Sequence, residues 1–94
     1  MRKRWFITSD EELSERYSFG PLVGRTQDVL TQAICPVWGY RPDRRAFHRL
    51  AEIGEICIVK AEGHQPCRVY FKDSRLHAEA NANMMKIKER VANA

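Results

Sequence analysis

Apolar residues along this chain recur with two different periods, and the changes of period divide it into elements. Val29, Leu30, Ala33 and Ile34 recur at helical spacing, which predicts a helix entered at Thr26 and stopped by Pro36. Val37-Trp38-Gly39-Tyr40 then turns the chain. Ala46, Phe47, Leu50, Ala51 and Ile53 form a second stripe, predicting a helix over 42–53. Pro42 suits its first turn, where an amide hydrogen has no intrahelical partner, and Gly54 suits the left-handed position that ends it. The period then shortens. Ile56 to Ala61 and Cys67 to Phe71 carry the β-branched and aromatic residues of strands, and the five residues between them include Gly63, so an antiparallel hairpin is expected. Asp73 or Ser74 caps a last helix, along which Leu76, Ala80, Met84, Ile87 and Val91 make one amphipathic stripe.

The first 25 residues are less regular. Arg4 to Thr8 reads as a short strand, and Ser9 or Asp10 as the cap of a helical turn through Glu11, Glu12 and Leu13. Ser18 to Arg25 holds two glycines and a proline and reads as a loop. The expectation is one α+β domain over 1–94, with a two- or three-stranded antiparallel sheet and a long C-terminal helix. Residues 1–25 form a strand or arm and a loop, 26–76 the core, and 74–92 the last helix.

Composition narrows the function classes. Ninety-four residues, 44% of them hydrophobic and 10% aromatic, suffice for one small core. No apolar run approaches the roughly 20 residues that span a bilayer. The start, Met1 to Ile7, resembles the head of a signal peptide, but Ser9-Asp10-Glu11-Glu12 interrupts it, which favours a cytoplasmic protein. Cys35, Cys57 and Cys67 cannot all pair within one chain and fit reduced thiols. Zinc would need Cys57, His64 and Cys67 with His48 or Cys35; only His64-x-x-Cys67 has ligand-pair spacing, so no metal is expected. His48, His64 and His77 are dispersed, and Gly20 and Gly24 precede no Lys-Ser or Lys-Thr pair, so neither catalysis nor a cofactor is expected.

The net charge of +4 matters less than its placement. Arg2, Lys3 and Arg4 open the chain, and Asp10, Glu11, Glu12 and Glu15 follow as an acidic block. Arg41, Arg44, Arg45 and Arg49 then fall close together, opposed only by Asp43. With Phe47 and Leu50 inward, these arginines and His48 project from the other side. That is the footprint expected of a surface for double-stranded DNA, since a guanidinium fork bonds a guanine edge or a phosphate at two points. An ordinary solvated helix face is the alternative.

The runs "DRRAFHRLAEIGEICIVKAEG" and "CRVYFKDSRL" carry a resemblance. Residues 28–76 resemble the winged helix-turn-helix of phage excisionases and MerR-type regulators, in which a helix ending in a glycine turn leads into a wing hairpin and a further helix. The resemblance implies a winged-helix-like domain that binds DNA, as an excisionase-type or transcriptional regulator of a phage or mobile element. By the same resemblance Arg44, Arg45, His48 and Arg49, preceded by Arg41, take the groove-reading positions. Lys60, His64 and Arg68 fall on the wing, with Lys60 and Arg68 on phosphates and Arg2, Lys3 and Arg4 as a supplementary arm. The stripe Leu76, Ala80, Met84, Ile87 and Val91 is a candidate for homodimerisation. The competing reading is a small module that binds and inhibits another protein through Trp5, Trp38 and Tyr40, since arginine and aromatics are enriched at protein interfaces too.

Overall fold

A computed structural model describes Leu13 and residues 17–24, 26–59 and 67–92, with side chains through Arg90. Strand β1 (Pro21–Gly24) leads into helix α1 (Gln27–Ile34), a 3₁₀ turn (Cys35–Trp38) and helix α2 (Arg44–Glu52). Strands β2 (Ile56–Val59) and β3 (Cys67–Phe71) and helix α3 (Ser74–Ala92) follow. The expected α+β class, with an antiparallel sheet and a long C-terminal helix, is the one found. The sheet has three strands in the order β1-β3-β2, both pairs antiparallel.

The third strand corrects the sequence reading, which took residues 18–25 as a loop. Leu22 points into the core and Val23 out, a strand alternation too short to stand out beside two glycines and a proline. Pro21 opens an edge strand, where its missing N–H costs no ladder bond. Gly24 allows close packing: a Cβ there would lie 2.7 Å from Leu30 Cδ2 and 2.8 Å from its Cγ. Tyr17 to Phe19 tie this end down. The Tyr17 hydroxyl donates to the Ile56 carbonyl at 3.2 Å, Ser18 Oγ to that of Lys72 at 2.6 Å, and Phe19 N to that of Phe71 at 3.2 Å. Leu13 is helical and buried, as expected. The strand expected over Arg4–Thr8 lies outside the described residues.

The inner face of the sheet is one continuous apolar layer. Leu22, Val69 and Ile58 form a row across all three strands, and Phe71 pairs with Ile56 beside it. Leu30, Ala33 and Ile34 of α1, Phe47 and Leu50 of α2, and Ala80 and Met84 of α3 close over this layer. Thr31 is the buried polar residue of the core, and its hydroxyl donates back to the Gln27 carbonyl at 2.7 Å. Trp38 stacks on Phe71, with ring centroids 5.9 Å apart.

Local chemistry explains where the helices begin and end. Thr26 Oγ1 accepts from Val29 N at 3.3 Å and caps α1. Pro36 does not halt the chain at once: it sits in the 3₁₀ turn, which Gly39 closes at φ +80° with its N–H bonded back to Pro36 O at 2.9 Å. Asp43 caps α2 by accepting from Arg45 N at 2.7 Å, so Pro42 lies just before the cap and not in the first turn. Gly54, at φ +83°, ends α2. Its N–H meets Ala51 O at 3.1 Å while Glu55 N meets Leu50 O at 3.0 Å, the paired bonds of a Schellman turn. Asp73 Oδ1 accepts from Arg75 N at 2.8 Å at the start of α3.

Candidate functional site

Helix α2 has nine residues, and three of them, Phe47, Leu50 and Ala51, are buried on one side. At 100° per residue the opposite side is centred between Arg45 and Arg49, one turn apart. Both arginines are exposed, as are Arg41 and Arg44 just before them. Among the described residues neither Arg45 nor Arg49 has an acidic partner within salt-bridge reach. The arginine face read from the sequence is therefore present, though two of its members stand differently from the expectation.

Arg44 leans onto α1. Its Nε and Nη2 both lie 3.4 Å from Asp28 Oδ1, with each side chain about two-thirds exposed. Such a pair in solvent contributes under ~1 kcal/mol, so it orients Arg44 without locking it. Asp28 occupies the first turn of α1, a favourable place for an anion at the positive end of the helix dipole. His48 is the larger correction. It is half-buried, with its ring 6.0 Å from that of Phe47, where the four arginines are exposed. Burial lowers its pKa, the Arg44 charge lowers it further, and Glu52 opposes both. A histidine so placed is neutral around pH 7 and adds no charge to the face.

Beyond α2, Arg68 occupies the outer face of the sheet between Val23 of β1 and Val59 of β2, and is half-buried there. The hairpin that carries it starts directly after the Gly54 turn, so the sheet edge and the arginine face belong to one run of chain. Lys60, His64 and the arm of Arg2, Lys3 and Arg4 lie outside the described residues.

The cysteines do not converge. Cys57 pairs with Tyr70 on the outer face, and Cys67 pairs with Gly24 on the inner face, so the sheet stands between them. Cys57 is buried although it lies on the outer face. None of the three cysteines is in a disulfide; burial raises the pKa of Cys35, whose Sγ approaches the Asp43 carbonyl at 3.9 Å. Among the described residues no group of three His, Cys, Asp or Glu side chains is placed to hold a metal ion.

The dimer stripe is also corrected. Ala80 and Met84 are buried against the domain's own core, and Leu76 and Ile87 pack on it. Asn83, on the same side, donates to the Ala33 carbonyl at 3.1 Å. Ala80 and Met84 are therefore taken up by the domain's own core and are not open to a second copy; the Val91 side chain is outside the described residues. Trp38, a proposed anchor for a protein partner, is half-buried against Phe71, while Tyr40 is exposed. Trp5 is outside the described residues.

His77 is the residue that sequence reasoning left without a role. Its Nε2 donates to the Pro21 carbonyl at 3.0 Å, and its ring meets Phe19 and Phe71 edge-on at 4.6 and 5.2 Å. It fastens α3 to β1, a long-range interaction that no local pattern announces. Among the described residues no helix is long and apolar enough to cross a membrane. No family model, curated protein or solved structure matches the chain.

Proposed function

We propose that this chain is a winged-helix DNA-binding protein in which α2 enters the major groove. The observation that carries the reading is the face of Arg45 and Arg49. It is exposed, without acidic partners among the described residues, and backed by the buried Phe47, Leu50 and Ala51. The element order β1-α1-α2-β2-β3-α3 with sheet order β1-β3-β2 supports it, because this arrangement sets a hairpin beside the groove-facing helix. Arg45 and Arg49 read base edges, Arg41 and Arg44 bond phosphates at the N-terminal end of α2, and Arg68 serves the wing side with Lys60. His48, half-buried on the flank of α2 beside Phe47, adds no charge to this face. The regulatory role, whether excisionase-type or transcriptional, rests on the resemblance of residues 28–76.

Two-fold pairing belongs to the same reading. With one side of α3 covered, the side left for a second copy is the outer one, where Met85 is 58% exposed among Ala78, Ala82 and Asn81.

Titrating salt in a gel-shift assay with duplex DNA tests the main claim. Binding should weaken steeply as salt rises, because each bonded phosphate releases counterions. Binding that is absent at low salt refutes the reading.

A further inference from the structure

Between α1, the approach to α2 and the C-terminal half of α3 lies an open groove of about 280 Å³. Its lining has a definite chemistry. Lys86 and Arg90, one turn apart on α3, supply two cations; Gln32 and Asn83 supply amides; Pro36, Pro42 and Ile87 make the apolar remainder. Among the described residues no acidic residue lines it, and neither cation has an acidic partner within salt-bridge reach. Asn83 is held in place by its bond to the Ala33 carbonyl, which fixes α3 against the end of α1 at the groove wall.

Position connects the groove to the arginine face. Pro42 forms part of the lining and immediately precedes Asp43, the cap of α2, while Arg41 precedes Pro42. Arg41, exposed like Arg45 and Arg49, thus adjoins the groove lining in sequence, with the exposed Asp43 between it and α2. We infer that this groove binds the sugar-phosphate backbone of the DNA met by α2, on the flank of the segment that α2 reads. The inference rests on the DNA-binding reading and extends it to a second surface, built mainly from α3. Two like charges one turn apart repel mildly in the free helix, and a polyanion laid along them removes that repulsion. Amide side chains and cations are usual partners of backbone phosphate oxygens. The prolines and Ile87 offer a surface against which a deoxyribose can rest. Such interactions carry no base information, so the groove adds affinity and register without adding specificity.

The test compares Lys86→Gln/Arg90→Gln with wild type on a labelled random-sequence duplex over a range of salt. Both side chains are exposed and the variant keeps their polarity, so its thermal melting should match wild type. The slope of log affinity against log salt should become shallower by about 1.8, two phosphates at ~0.9 each. The weakening at any one salt concentration should be equal for duplexes of different sequence. An unchanged slope, with Arg45→Ala/Arg49→Ala still weakening binding, overturns the groove assignment and leaves the DNA-binding reading standing. Failure of wild type to bind any duplex overturns both. A poly-glutamate peptide that competes as well as DNA on wild type, and no longer on the Lys86/Arg90 variant, assigns the groove to acidic proteins and overturns the backbone assignment.

Discussion

At Gly24 the Leu30 side chain of α1 fills the space a Cβ would need. Leu30 is fully buried, so it cannot swing aside without disturbing Ile34 and Met84 in the same cluster. Gly24→Ala should therefore destabilise the fold by about 1–3 kcal/mol, the usual cost of overpacking. Gly20 is the matched control, since nothing lies within 4 Å of its Cβ position. Gly20→Ala should be neutral or stabilising by ~0.4–1 kcal/mol through the unfolded chain. Urea midpoints of the two variants give the comparison, and equal midpoints would contradict the packing argument. His48 offers a second test at this scale. Its pKa is lowered in the folded state by burial first and by Arg44 next, so the unfolded chain binds its proton more readily. Its contribution to stability is then fully present above the ordinary histidine value of about 6.5 and is lost as pH falls toward the folded-state value. Wild type should lose more stability than His48→Gln between pH 7 and 5. Parallel declines in the two proteins would show that another group is responsible.

At the scale of elements, α2 is where the proposed reading face can be told from diffuse charge. Arg45→Ala with Arg49→Ala leaves Phe47, Leu50 and the Asp43 cap in place, so the helix should persist. DNA binding should weaken by roughly 1–3 kcal/mol for each base no longer read. Lys88→Ala, also exposed but on α3 outside both the face and the groove, should cost much less. Similar effects from the two changes, measured by fluorescence anisotropy on one duplex, would mean attraction without recognition. Much of this helix was legible in the sequence, because burial of Phe47 and Leu50 dictates which residues face out and Gly54 announces the end. The hairpin strands at 56–59 and 67–71 were legible for the same reason, a local pattern of β-branched and aromatic residues. What escaped was set by distant partners. β1 became a strand because β3 offered it an edge, Arg44 turned toward Asp28 across the helix pair, and His77 found Pro21 through the fold. The stripe on α3 was read correctly as apolar, yet its partner proved to be α1 of the same chain, since periodicity gives the buried side of a helix and not what covers it.

For the whole molecule, the proposed DNA-binding role raises the question of how one small domain would meet a duplex with enough surface. A single module meets one half-site, and a two-fold pair of modules reads two half-sites about one helical turn or a multiple of it apart. The outer side of α3 has the features such a pair needs. Ser74, Ala78, Asn81, Ala82, Met85 and Glu89 share that side at helical spacing, with Arg75 and Glu79 at its edge. An antiparallel pair of helices centred on Ala82 would seat Met85 in the hole formed by Arg75, Ala78, Glu79 and Ala82 of the second copy. That register would set Glu89 of each copy opposite Arg75 of the other. Met85→Glu places a carboxylate in that hole beside Glu79 while leaving Met84 and the core untouched. Wild type should sediment as a dimer at micromolar concentration and Met85→Glu as a monomer with an unchanged melting temperature. The monomer should bind a single half-site as wild type does, but without the added affinity for a palindromic duplex. A wild-type protein that stays monomeric at every concentration, or a Met85→Glu variant that still dimerises, would exclude this face of α3 as the dimer interface.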